Sequence, residues 1–163
     1  MLLRPFRRDE LDAWWAARLN AYAEQPGGPP TRQSLRARLD RSGHLEGGQL
    51  DVAIEADGLL VGEIGTYRPP ARTLPPAWFE LGVGLFEESS RRQGYGTEAV
   101  ALLVGWLFGE AGATRVQAAT SPDNAAMRGV LDKLGFVTER TLKESGTEFL
   151  LYAMTRGRWR QPG

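Results

Sequence analysis

The sequence predicts a mixed α/β fold around one sheet. Three observations carry this. Between residues 78 and 141 the chain reads strand, glycine loop, helix, strand, helix, strand. LDVAIEADGLLVGEIGTY, residues 50–67, reads as a hairpin in which Leu50, Val52 and Ile54 alternate, Asp57-Gly58 turns and Leu60 to Tyr67 returns. GFVTERTL and TEFLLYAM read as a closing strand pair joined through Ser145-Gly146. A length of 163 residues suits one domain with a sizeable core. No repeat or linker divides it, so residues 1–163 are read as a single domain.

The remaining elements follow in chain order. LLRPF is a short first strand. Asp9 or Asp12 is placed to cap a helix carrying Leu11, Trp14, Trp15, Leu19 and Tyr22, which EQPGGPP breaks. Leu35 and Leu39 suggest a second helix from Thr31 to Leu39, and RSGHLEGG is a loop. After the hairpin, RPPARTLPP is too rich in proline for a ladder. AWFELGVGLF is a fourth strand with Phe79, Leu81, Val83 and Leu85 on one face, and ATRVQAAT is a fifth. Between them Val100, Leu103, Val104, Leu107, Phe108 and Ala111 form one helical stripe, with Gly112 as its stop and Glu98 in its first turn. In the next helix Ser121 can cap, Pro122 fits the first position, Met127, Val130, Leu131 and Leu134 form the stripe, and Gly135 ends it.

Composition narrows the function. Twenty basic and twenty acidic side chains leave no net charge, so nothing global asks for nucleic acid or an anionic membrane. The absence of cysteine excludes disulfides and thiolate metal sites, and a single histidine, His44, argues against a histidine-rich metal site or a Ser-His-Asp triad. No metal is expected. No run reaches the roughly 18 apolar residues of a membrane span. MLLRPFRRDEL lacks the apolar core of a signal peptide, so a cytoplasmic location is expected.

The stretch RRQGYG, residues 91–96, puts two arginines and two glycines where a long helix begins. A helix N-terminus offers unpaired N–H groups and a partial positive charge. Gly94 and Gly96 let backbone approach a ligand closely, and Arg91 and Arg92 add full charge. Together they suit a pyrophosphate. The same residues also suit a plain turn with solvated arginines. No lysine followed by Ser or Thr makes this a Walker loop, and the third glycine of a dinucleotide fingerprint is missing.

Arg91-Arg92-Gln93-Gly94-Tyr95-Gly96 resembles the (Gln/Arg)-x-x-Gly-x-(Gly/Ala) signature of GNAT-family N-acetyltransferases. Thr97-Glu98-Ala99, the amphipathic helix, the strand after it, Asn124 and Lys133-Leu134-Gly135-Phe136 extend the likeness. The LRP start, the hairpin and the closing Tyr152 to Trp159 segment resemble the RimJ/RimL-like branch, which acetylates ribosomal-protein N-termini. The resemblance spans about residues 2 to 159. It implies one mostly antiparallel mixed sheet of six to seven strands, splayed between the fourth and fifth and flanked by about four helices. It also implies acetyl-CoA as cofactor, with the pyrophosphate on backbone N–H groups from Arg91 to Thr97.

By the same resemblance, the pantetheine arm pairs with the fourth strand at Gly84, Leu85 and Phe86, where a backbone N–H can also steady the thioester oxygen. Asn124 would bond the cofactor's amide or phosphate region. The acceptor would be an amine, on a small molecule or a peptide. A homodimer is compatible with the family.

An amine must lose a proton to attack, and Glu80 is the first candidate to receive it. It interrupts an apolar strand and lies eleven residues before Arg91, the offset of a base glutamate in the histone-acetylating branch. Alternation equally lets it face solvent or pair with an arginine. Glu63 and His44 are runners-up. Relatives carry a serine three residues after the asparagine, or a tyrosine seven after it, as proton donor to the leaving thiolate; here Met127 and Leu131 stand there, and neither donates. Tyr152 and Ser121 are substitutes, and Arg128 is a candidate for a CoA phosphate. Trp14, Trp15 and the loops around EQPGGPP and RPPARTLPP are expected to shape the acceptor pocket. The alternative is an acyl-CoA-binding regulatory protein that kept the cradle and lost turnover. A generic nucleotide-binding module is disfavoured, since nothing in the chain reads a base.

Overall fold

A computed structural model describes residues 1–22, 29–70 and 72–163. Seven strands form one sheet: β1 (Leu2–Arg4), β2 (Leu50–Ala56), β3 (Leu59–Tyr67), β4 (Trp78–Leu85), β5 (Arg115–Thr120), β6 (Val137–Glu144) and β7 (Thr147–Thr155). Their order is β1-β2-β3-β4-β5-β7-β6. Only β4 and β5 run parallel. Four helices cover the sheet: α1 (Leu11–Tyr22), α2 (Arg32–Asp40), α3 (Tyr95–Gly109) and α4 (Ala125–Lys133). This is the mixed, mostly antiparallel sheet expected from the sequence.

Two apolar layers sandwich the sheet. Val100, Leu103, Val104 and Leu107 of α3 pack with Ile64, Leu81, Val116 and Ala118 in one cluster. Phe6, Trp14, Leu35, Leu39 and Ala53 form a second cluster under α1 and α2. Trp14 is fully buried and stacks on Phe6 with ring centroids 4.0 Å apart. The alternation of strand residues sends Leu81 to the α3 layer and Glu80 to the other. The two hairpin turns have positive φ at both central residues, Asp57-Gly58 and Ser145-Gly146, as tight two-residue hairpins require.

Several local expectations differ from the structure. Neither Asp9 nor Asp12 caps α1; a 3-10 turn at Arg8–Glu10 leads into it, and Glu10 accepts the Arg7 N–H at 2.8 Å. Thr31 is the N-cap of α2 rather than its first residue, accepting from the Ser34 N–H. Helix α3 ends at Gly109, before Gly112, because the Ala113 N–H turns back to the Leu107 carbonyl at 2.9 Å. Ser121 and Pro122 do not begin α4. They form a preceding turn closed by the Asn124 N–H on the Ser121 carbonyl, and Asn124 itself is the cap. The EQPGGPP loop lies largely outside the described residues.

Candidate active site

The site begins where β4 and β5 part. They pair only at Trp78/Arg115, Phe79/Val116 and Glu80/Gln117. Beyond Glu80, β4 stays on β3 as far as Leu85, while β5 continues to Thr120 along β7. A gap therefore opens between two parallel strands. Phe86 donates its N–H to the Val61 carbonyl, so its backbone faces β3. The Gly84 carbonyl points the same way, toward Gly62. Alternation then turns the backbone groups of Leu81, Val83 and Leu85 into the gap. Of Gly84, Leu85 and Phe86, only Leu85 presents its backbone there, while Leu81 and Val83 escaped the sequence reading because register decides which residues point out.

After β4 and a 3-10 turn at Glu88–Ser90 the chain enters α3. Gly94 is the N-cap, with φ of 81°, a left-handed conformation that favours glycine. The first helical bond is Glu98 N–H to the Gly94 carbonyl at 3.0 Å, leaving the N–H groups of Tyr95, Gly96 and Thr97 without intrahelical acceptors. A Cβ built on Gly94 would meet nothing within 4 Å, so the space over these donors is open. Arg91, Arg92 and Gln93 are exposed beside it. Gly96 has a packing role as well, since a Cβ there would lie 3.7 Å from Val130 of α4. Open N–H groups at a helix N-terminus with two exposed arginines beside them suit an anion.

A cavity of about 560 Å³ runs through the gap. On one side it is lined by Ala119 and Thr120 of β5 and by Asn124 and Met127 of α4. On the other it reaches Glu63, Gly65 and Tyr67 of β3 and Gly82 of β4. The Asn124 Oδ1 accepts the Met127 N–H at 3.0 Å, which orients its amide NH₂ as a donor toward a ligand. Leu131 is fully buried. Ser121 Oγ accepts from the Asp123 N–H, and Tyr152 is buried with its hydroxyl 3.4 Å from Arg128 Nε. Neither lines the cavity.

Glu80 is fully buried, and its surroundings are ionic. Arg72, from the proline-rich loop, takes both carboxylate oxygens at 2.5 and 2.9 Å. Gln117 Nε2 donates to Oε1 at 2.8 Å. Arg72 Nε also donates to Glu144 at the end of β6, at 2.6 Å, tying the loop to the β6–β7 hairpin. Glu80 does not line the cavity; its cross-strand partner Tyr67 does. Burial first, then the charge of Glu80 and a hydrogen bond to it, hold the Tyr67 phenol far above its ordinary pKa, while Arg72 pulls the other way.

Glu63 does line the cavity, held by Arg18 at 2.5 Å and by Trp14 Nε1. His44 is exposed beside a separate small hollow. Trp14 and Trp15 do not line the cavity; Trp14 is core, reaching the site only through its Nε1 bond to Glu63. The 68–76 loop reaches the cavity through Arg68 and otherwise walls a second hollow of about 600 Å³. Sequence reasoning missed Tyr67, Arg72 and Gln117. Only the Tyr67↔Glu80 register, unreadable before pairing is known, could have flagged the first.

Known proteins share this fold. Residues 1–137 match the family described as acetyltransferase (GNAT) domain. Mycobacterium smegmatis RimJ, solved with CoA-disulfide, aligns with a TM-score of 0.71 and 27% identity over 94% of this chain and 80% of its own. Aminoglycoside acetyltransferase AAC(6')-Ib with coenzyme A aligns with a TM-score of 0.77 and 20% identity over 96% and 95%. The same enzyme with ribostamycin and coenzyme A aligns at 0.78 and 18% over 96% and 93%. No curated protein matches significantly in sequence. The family match covers most of the chain, and the splayed strands follow its fold, so the chain belongs to the GNAT acetyltransferases and is an acetyl-CoA-dependent acyltransferase.

Proposed function

We propose that this protein transfers acetyl from acetyl-CoA to a primary amine by direct attack in a ternary complex. The observation that carries this is the passage between β4 and β5. It opens beyond Glu80 into a cavity reaching Tyr67 and Glu63, and the strand β4 that bounds it runs on in the chain to the open N-terminus of α3. Bound acetyl-CoA supplies an acetyl group activated as a thioester. In this reading Arg91, Arg92, Gln93, Gly94, Tyr95, Gly96 and Thr97 hold its pyrophosphate. Leu81, Val83 and Leu85 pair with its arm through their backbones, and the Asn124 amide donates to it. Glu80 serves as the carboxylate that receives the amine proton, at one remove, because it does not face the cavity. The chain has no cysteine to carry an acetyl group, which supports direct transfer.

The acceptor proposed is a peptide N-terminus or a small-molecule amine. The RimJ likeness supports the first, and the aminoglycoside-bound neighbours support the second. The reading includes a single domain over residues 1–163, a cytoplasmic setting and a homodimer as an allowed assembly. Among the described residues no helix is long and apolar enough to cross a membrane. One observation favours a second reading, a weakly active acyl-CoA-binding regulator: Met127 and Leu131 stand where a proton donor would. Direct transfer is tested by intact-mass measurement. Acetyl-CoA alone should leave the protein unmodified, with CoA released only on adding an amine. A stable acetyl-protein that passes its group to the amine would contradict it.

A further inference from the structure

Resting on the amine-acetylation reading, we propose that Tyr67 is a catalytic residue linking the cavity to Glu80: its phenol oxygen takes the proton leaving the amine nitrogen as its own hydroxyl proton passes to the Glu80 carboxylate. The geometry is that of a relay. Tyr67 and Glu80 are direct cross-strand partners on one face of β3 and β4. Two residues along β4, Gly82 has no side chain, and a Cβ built there would lie 3.4 Å from the Tyr67 ring. The ring therefore lies along the cavity floor. Tyr67 is 37% exposed, whereas Glu80 is sealed beneath it.

The hydrogen-bond inventory of Glu80 leaves room for one more donor. An ionised carboxylate only accepts, at about four lone-pair sites. Arg72 fills two and Gln117 a third. A fourth site is left on the carboxylate that the Tyr67 phenol, its cross-strand partner, faces, and the pull of Glu80 on the phenol leaves the oxygen's lone pairs to meet an N–H in the cavity.

The groups around the phenol are Glu80, Arg72 and Glu144, and their net effect with burial keeps it neutral. A neutral phenol cannot act as a stored base, so it must gain and lose a proton in one event. The N–H bond and the phenolic O–H bond break as a new O–H forms on Tyr67 and another on Glu80. Nothing is oxidised or reduced, and the proton returns to water when product leaves. Glu80 need not be a strong base. The nitrogen becomes a far stronger acid as its bond to the acetyl carbon forms.

Two measurements decide this. The first needs no acceptor: titration of the four tyrosines by 13Cζ NMR, with Tyr67 assigned by Tyr67→Phe. Tyr67 should stay neutral where ordinary tyrosines ionise, and Glu80→Gln should bring its ionisation down toward theirs. Ordinary ionisation of Tyr67 in the wild type, or no response to Glu80→Gln, overturns the link. The second is single-turnover acetylation of ribostamycin and of an alanyl peptide amide at saturating acetyl-CoA. Tyr67→Phe and Glu80→Gln should each slow the maximal rate by about 10² or more. KM should change little, and the double variant should be no slower than the worse single. A Tyr67→Phe rate within twofold of wild type, or losses that multiply in the double variant, overturns the relay. If wild type acetylates neither amine, the amine reading fails on its own account, and the titration still decides whether Tyr67 and Glu80 are coupled.

Discussion

Replacing Arg72 with alanine tests the ionic centre beneath the site. Its guanidinium makes two bonds to Glu80, whose side chain is 0% exposed, and one to Glu144, which is 23% exposed. Removing one partner of a buried pair costs about 3–5 kcal/mol, because the other charge stays buried and uncompensated. Gln117 still donates to Glu80, which places the loss near the lower end, at about 3 kcal/mol. The Glu144 contact lies partly open to water and adds about 1 kcal/mol or less. For a domain of this size, about 3 kcal/mol lowers Tm by roughly 6–12 °C. Urea unfolding followed by tryptophan fluorescence reads the loss directly. Adding Glu80→Gln to Arg72→Ala removes the orphaned charge and should restore at least about 1 kcal/mol. A loss under about 1 kcal/mol for Arg72→Ala, or a double variant weaker than either single, would refute the buried-pair reasoning.

Further outcomes follow from the same geometry. Acetyl-CoA should raise Tm, and Gly94→Glu should abolish the rise by placing a charge and a strained φ over the open N–H groups; an unchanged rise in the folded variant moves the cofactor elsewhere. The rate of chemistry should climb with pH to a plateau as the amine deprotonates, with no alkaline loss until the fold fails, and Met127→Ser should change it less than about tenfold. A bell-shaped single-turnover profile whose alkaline limb disappears in Tyr152→Phe would contradict that. Because the folded Tyr67 phenol is held above its unfolded pKa, its stabilising contribution is complete below about pH 10 and is lost as pH rises beyond it. Tyr67→Phe should therefore flatten the alkaline decline in unfolding free energy measured by urea titration, and an unchanged slope would show that the phenol ionises freely.

Periodicity made the α3 stripe, the strands and both hairpin turns legible, because each rests on spacing within one segment. Val100, Leu103, Val104 and Leu107 could only bury together on a helix. The open start of α3 was legible for the same reason: Arg91 to Thr97 are contiguous. What the sequence hid depends on contacts between distant segments. Glu80 could be placed on a strand, but not sealed by Arg72 from a loop that composition marked only as proline-rich. Tyr67 looked like the end of a hairpin until register set it opposite Glu80. The start of α4 was misplaced because Ser121, Pro122 and Asn124 all carry helix-start chemistry, and only the Met127 N–H to Asn124 bond decides among them.

The most direct test of the account measures binding and transfer in one sample. The protein, with acetyl-CoA, is offered a panel of peptide N-termini and small primary amines, while CoA thiol release and product mass are followed. The account predicts a thermal shift with acetyl-CoA, and stoichiometric CoA release with one acetyl group gained on the nitrogen of at least one amine. Tight acetyl-CoA binding with no acetyl transferred to any amine would contradict it and leave a binding protein on an acetyltransferase fold.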